Sequence, residues 1–254
     1  MTDAIFITTS SSPTAAPERI GIDEVVFGGI TRTLLVDENQ CTFWAMLSDD
    51  SDDTIRDFFK SLPDRHEVKV VSTDLNASRI EAVQESLPDA TVEVAACYVQ
   101  HQLHRCMARV WREEERKLHT TAISDQASLM LPFDPSIRGE LELRARARND
   151  VGVLHHSRRL FERPYDRLNS TDRITVEFWR ERLPLLKEVY DFSQRVSQLY
   201  RREISSEVAE ALLNQWLDNL SPDAMQFVLP FAATLRKYMA NVCAYWATRY
   251  NNLT

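Results

Sequence analysis

The sequence predicts an α/β fold: a mixed five-stranded sheet with flanking helices, followed by a C-terminal all-helical region. Three observations predict it. Three apolar segments with strand character lie close together near the start, separated by short turn signals. Two more each alternate with a helical pattern. Beyond residue 97 the apolar positions recur at helical spacing with no convincing strand. Only 5 of the 254 residues are glycine, and neither GxGxxG nor GxxxxGK[ST] occurs, which argues against a Gly-rich nucleotide-binding loop.

The elements follow in order. "IGIDEVVF" (20–27) alternates and ends against Gly28-Gly29, a hairpin signal. "ITRTLLVD" (30–37) is a second strand turned by Glu38-Asn39, and "CTFWAML" (41–47) is a third. "SDDSDDTIRDFFKSL" starts with capping residues, carries Ile55, Phe58, Phe59 and Leu62 at helical spacing, and is closed by Pro63. The strand "EVKVVST" (67–73), the helix "ASRIEAVQESL" (77–87) ended by Pro88, and the strand "ATVEVAA" (90–96) complete the sheet. A long helix starts at "YVQHQLHRCMARV", and further helices are expected over 136–148, 174–200, 205–219 and 223–250. Three antiparallel strands followed by two βα crossovers is the layout of a ribonuclease-H-like domain, in which the first strand lies beside the fourth. The expected organisation is a flexible leader (1–19), a ribonuclease-H-like core (20–120) and a helical region (121–254).

Composition is that of an ordinary soluble protein, with 44% hydrophobic and 27% charged residues. The four cysteines lack CxxC spacing, which suggests reduced thiols. The start has no basic n-region, and no stretch of about 20 apolar residues occurs, so neither a signal peptide nor a membrane span is expected and the location reads as cytoplasmic. A net charge of −8 counts against a dedicated nucleic-acid binder, yet residues 138–167 are locally basic. Arg144, Arg146, Arg148, Arg158 and Arg159 are therefore candidate DNA contacts, the commoner alternative being a solvated helix face.

Two acids carry the chemical reading. Asp74 ends the apolar fourth strand, and Asp23 lies on the first. If those strands pair in parallel, the two carboxylates face each other across about 5 Å, the ordinary strand spacing. Such neighbours repel, and a divalent cation, magnesium or manganese, resolves the conflict. Two ions together serve phosphodiester chemistry by activating the attacking oxygen and stabilising the leaving one. The plainer alternative has Asp74 capping the next helix or sitting in the strand-to-helix turn, and Asp23 pairing with Arg32 across the hairpin. Cys97, His101 and His104 share a helix face, where a three-ligand zinc site is the alternative to the commoner ordinary helix face, whereas Cys106 points away. Trp44, Trp111, Trp179, Trp216 and Trp246 read as core.

The blocks "IGIDEVVFGGITRTLLVDENQCTFWAML", "VKVVSTDLNASRIEAVQESLPDATV" and "YVQHQLHRCMARV" resemble, in order and spacing, the catalytic core of the ISL-three family of insertion-sequence transposases. The resemblance runs from about Ile20 to the carboxyl terminus, the helical region being similar to that family's insertion. It implies a DDE transposase, whose three acids on a ribonuclease-H-like fold bind two magnesium ions and cut and rejoin DNA. Asp23 and Asp74 match the first two acids. The acid and Lys that family members carry after the fifth strand are here Ala96 and Cys97, followed by the aromatic Tyr98. The family's third acid, a Glu, lies beyond an Asn-rich segment similar to "YNNLT", and its amino-terminal zinc-binding and helix-turn-helix modules are not matched. The expectation is a core truncated at both ends, inactive as it stands, binding transposon-end DNA and assembling as a homo-oligomer. Two alternatives stand beside it: a non-enzymatic interaction protein working through residues 136–254, and a ribonuclease-H-like nuclease completed by an internal acid such as Glu203 or Glu207.

Overall fold

Gly28 and Gly29 adopt φ of 63° and 78°, a pair of left-handed residues that only glycine takes without strain. They turn β1 (Arg19–Phe27) onto β2 (Ile30–Asp37), with Phe27 opposite Ile30. The computed structural model describes residues 15–128 and 153–249. Beyond the hairpin come β3 (Thr42–Met46), α1 (Asp52–Ser61), β4 (Val70–Thr73), α2 (Ala77–Ser86), β5 (Thr91–Val94) and α3 (Ala96–Ser128). The sheet order is β3-β2-β1-β4-β5, with β1–β2 and β2–β3 antiparallel and β1–β4 and β4–β5 parallel. This is the α/β, ribonuclease-H-like layout that the sequence predicts. The fourth strand starts later than predicted, because Arg65–Glu67 closes into a 3-10 turn.

Cross-strand register separates the two faces of the sheet. Ile20, Val71 and Val92 stand side by side and are buried, as are the partners Ile22 and Leu35, and Val94 opposite Thr73 is buried too. Burying each such side chain contributes about 2 kcal/mol. Helix α2 packs against β4 and β5, and α1 against α2, with Ile55, Phe59, Ile80 and Val83 fully buried. The opposite face is polar at its centre, where Gly21, Ser72 and Glu93 stand side by side on β1, β4 and β5. Glu93 is 2% exposed. Its carboxylate takes the Arg19 guanidinium, the Ser72 hydroxyl (2.7 Å) and the Thr248 hydroxyl. Arg19 also binds Glu38 at 2.5 Å. A β-carbon at Gly21 would lie 2.9 Å from Glu38 Oε1, so the glycine leaves room for that carboxylate.

The chain divides into two compact units. The first comprises the described parts of Met1–Val99, Glu203–Gln215 and Ala232–Thr254; the second comprises those of Gln100–Arg202 and Trp216–Phe231. Helices α4 (Ser170–Arg182), α5 (Pro184–Leu199), α6 (Ser206–Asp218), α7 (Pro222–Lys237) and α8 (Met239–Arg249) follow. The single helix predicted over 174–200 is in fact two. Pro184 lacks an N–H and pushes Leu183 out of helical geometry (φ −121°, ψ 82°), so a new helix starts there. The helix predicted over 223–250 is interrupted at Tyr238 rather than at Pro230. Hydrogen bonding from Tyr238 N–H to Thr234 and from Val242 N–H to Tyr238, both 3.0 Å, continues across the interruption. The predicted helix over 136–148 lies outside the described residues.

In the first unit α8 packs against β5, and Asn241 donates to the Val92 carbonyl at 2.9 Å. The second unit has an aromatic centre in which Phe161 touches Trp111 and Tyr190 (centroids 5.1 and 5.0 Å) and Trp179 donates to Ser157. Among the described residues no helix is long and apolar enough to cross a membrane, and the four cysteines are free thiols.

Thr248→Val should leave one oxygen of the buried Glu93 without its hydroxyl partner and cost about 2 kcal/mol, read from urea denaturation followed by circular dichroism. A second expectation concerns acid. Asp49 accepts the Ser51 hydroxyl (2.7 Å) and backbone N–H (3.0 Å) beside the N-cap of α1, which holds its carboxyl at about 2, below the ordinary 3.8. The fold thus favours its charged form. The resulting stabilisation is complete above pH 3.8 and is lost as pH falls through about 2. The melting difference between the wild type and Asp49→Asn should shrink across that window; a constant difference would refute the cause.

Candidate active site

The parallel pairing of β1 with β4 ends at Gly21 opposite Ser72. Two residues beyond that last pair stand Asp23, still on β1, and Asp74, the residue after β4. Tyr98, near the start of α3, feels the charge of both acids. Its hydroxyl donates to Asp23 Oδ1 at 2.8 Å, and burial followed by the negative charges of Asp23 and Asp74 pushes its pKa strongly upward. Asp23 Oδ1 also accepts the Glu24 N–H at 2.8 Å. Asp74 Oδ1 takes the Thr73 hydroxyl at 3.3 Å. On both acids Oδ2 has no hydrogen-bond donor among the described residues.

Of the plainer roles, Asp74 does sit in the turn between β4 and α2, but it does not cap the helix, and Asp23 does not pair with Arg32. Asn76, not Asp74, caps α2 by accepting the Ser78 N–H. Arg32 stands opposite Val25, and no ion pair joins it to Asp23.

A basic residue that the sequence reading passed over organises the acids. Arg79 of α2 is only 4% exposed. Its guanidinium lies 2.8 Å from Glu24, 3.7 Å from Asp74 and 3.8 Å from Asp52, and it reaches the Asp50 carbonyl at 3.4 Å. One cation thus faces three carboxylates. Burial is the main cause that raises the Asp74 pKa; Arg79 opposes it, while Glu24 and Asp52 add to it. The signal was present in the sequence, for Arg79 shares the buried side of α2 with Ile80, Ala82 and Val83, and a charge there needs a partner.

The donors at Asp23 and Asp74 are hard carboxylate oxygens, the chemistry that magnesium and manganese accept. The fit is that of a partial site: among the described residues no group of three or more His, Cys, Asp or Glu side chains is gathered to hold a metal ion. The zinc reading of Cys97, His101 and His104 is therefore not supported. Burial and then the charge of Asp23 raise the pKa of the Cys97 thiol, so it is a poor nucleophile.

The remaining predicted residues are elsewhere. Arg158 and Arg159 are exposed on a 3-10 turn (Arg158–Leu160) in the second unit, and Arg158 lies 3.6 Å from Glu162. Arg144, Arg146 and Arg148 lie outside the described residues. Glu207, at the start of α6, has its pKa lowered by the Ser205 hydroxyl, and Glu203 is exposed just before that helix. Trp111, Trp179 and Trp246 are core as predicted, whereas Trp44 and Trp216 are half-buried.

No curated protein and no solved structure matches the chain. A family model does: DDE_Tnp_ISL3, described as a transposase, matches residues 20–253, nearly the whole sequence and both compact units. The strand order and this match agree, and the chain belongs to the ISL3 family of DDE transposases.

Proposed function

We propose that Asp23 and Asp74 are metal ligands of a DNA strand-cleavage and strand-transfer centre that takes magnesium or manganese. The observation that carries this reading is the unclaimed Oδ2 on each acid, each two residues beyond the last pair of the parallel strands β1 and β4. The ions, when bound, supply activation of an attacking oxygen and stabilisation of the leaving one in phosphodiester chemistry.

The chain's own groups set up that arrangement. Tyr98 and the Glu24 N–H fix Asp23 through Oδ1 and so leave Oδ2 directed elsewhere. Arg79 moderates the repulsion among Glu24, Asp52 and Asp74, so the strand end stays folded with its acids ionised. Arg158 and Arg159, both exposed, are suited to contact DNA phosphates. With two acids and no third beside them among the described residues, metal affinity should be weak, in the millimolar range, and cleavage slow.

The test is nicking of supercoiled plasmid in manganese or magnesium alongside calorimetric metal titration. Asp23→Asn and Asp74→Asn should each abolish both signals. Tight binding that survives Asp74→Asn would sink the assignment.

The same residue predicts a stability effect of opposite sign. The fold raises the Asp74 pKa, so its favourable contribution exists below the ordinary 3.8 and is lost as pH rises through the higher folded value. Ionised Asp74 therefore costs stability at neutral pH. Asp74→Asn should raise the melting temperature there by about 2 °C, and the gain should vanish in acid. Arg79→Ala should do the reverse, losing about 3 kcal/mol by leaving three carboxylates without their buried counter-ion.

A further inference from the structure

The second unit holds a cavity that the chemistry above does not use. Its volume is 270 Å³, and Lys187, Glu188, Asp191 and Arg195 of α5 line it together with Trp216 and Asn219. Lys187, Asp191 and Arg195 are spaced i, i+4, i+8, which puts them on one stripe of the helix.

Both acids of this lining are already engaged. Asp191 binds the Arg180 guanidinium at 2.6 Å, and Glu188 takes the Ser221 N–H and hydroxyl, each at 2.6 Å. Lys187 and Arg195 are exposed and form no ion pair among the described residues. Trp216 is half-buried, unlike Trp111 and Trp179 of the same unit, and its indole makes no hydrogen bond within the described chain. Asn219, also exposed, offers an amide with both donors and an acceptor.

A half-buried indole lining one cavity with two cations that form no ion pair among the described residues suits one kind of ligand. A base stacks on the ring, its phosphate meets the cations, and the amide reads a base edge. The volume lies near the lower end of small-molecule pockets, about 300 Å³, which admits one nucleotide and excludes a duplex. We propose that this cavity takes a single unpaired nucleotide of a DNA strand, with Trp216 as the stacking platform and Lys187 and Arg195 as the phosphate contacts. The substrate class rests on the reading that the protein acts on DNA.

The experiment is fluorescence polarisation with labelled oligothymidylate and with a duplex of equal length, in wild-type protein, Trp216→Ala, Trp216→Phe and Lys187→Gln/Arg195→Gln. Trp216→Ala should weaken single-strand binding about tenfold, the order that one stacked base supplies, while Trp216→Phe stays within about twofold because a ring is kept. Duplex affinity should not change in either. The double variant should lower single-strand affinity and flatten its salt dependence by about two phosphate contacts.

Equal losses on single strand and duplex in Trp216→Ala, or no loss on either, would overturn the proposal. So would thymidine monophosphate competing as well as the oligomer, since the pocket would then serve a free nucleotide. If Trp216→Ala fails to fold, Trp216→Phe and the double variant still decide, because neither removes a packed ring. Loss of plasmid nicking in Asp23→Asn with Trp216-dependent binding intact is expected. Nicking that survives that change would refute the metal assignment and leave this one standing.

Discussion

Glu93 is a carboxylate at the centre of the sheet's polar face, and its ionic partner Arg19 comes from two strands away. Between them runs β4, whose Ser72 hydroxyl touches Glu93 and lies 3.0 Å from Glu38. From the helical side, Thr248 of α8 reaches the remaining oxygen. A charge this deeply buried is costly unless every lone pair is met, so β1, β4, β5 and α8 are held to one register by the need to satisfy it. The register matters because Asp23 and Asp74 each follow its last β1–β4 pair by two residues. A slip of one residue would turn either acid into the apolar layer. The network is therefore the foundation on which the candidate site is positioned.

Arg79 is a second constraint with a different consequence. It neutralises part of the charge of Glu24, Asp52 and Asp74 without cancelling it, and Asp74 still resists ionisation. A fold optimised only for stability would place a neutral residue after β4, since Asn76 already caps α2. Retaining an acid there fits a site whose missing charge comes from a ligand.

Much of this was legible in the sequence. Alternating apolar residues and the Gly28-Gly29 turn led to the hairpin, and the βα alternation led to the parallel pairs and the sheet order. Asp74 is conspicuous in the sequence because it ends an apolar run, and the expected pairing of β1 with β4 is what relates Asp23 to it. What stayed hidden depended on long-range contacts. Arg79 and Glu24 are 55 positions apart, and Thr248 and Glu93 are 155 apart, distances over which spacing carries no signal. Helix interruptions were misjudged for a local reason. Pro230 was accommodated within α7, whereas Pro184 forced Leu183 out of helical geometry and started α5. Trp216 reads as core because its neighbours Leu213 and Leu217 are buried, although it sits half-exposed on the same helix.

The chain's charge of −8 sits awkwardly with a family that acts on DNA, until the pairing of its arginines is traced. Arg19, Arg56, Arg79, Arg180 and Arg201 all engage carboxylates within their own compact unit. Those pairs hold the fold and offer little to a phosphate. Arg159, Lys187 and Arg195 are exposed and make no ion pair among the described residues, so they retain their full attraction for an anionic strand. Net charge sums over both populations, whereas phosphate binding depends on the second alone, within the screening distance of about 10 Å that ordinary salt imposes. An acidic protein can thus hold a nucleic acid locally, provided its unpaired cations cluster near something a base can stack on. In the second unit Trp216 lines the same cavity as Lys187 and Arg195, the arrangement on which the nucleotide proposal rests.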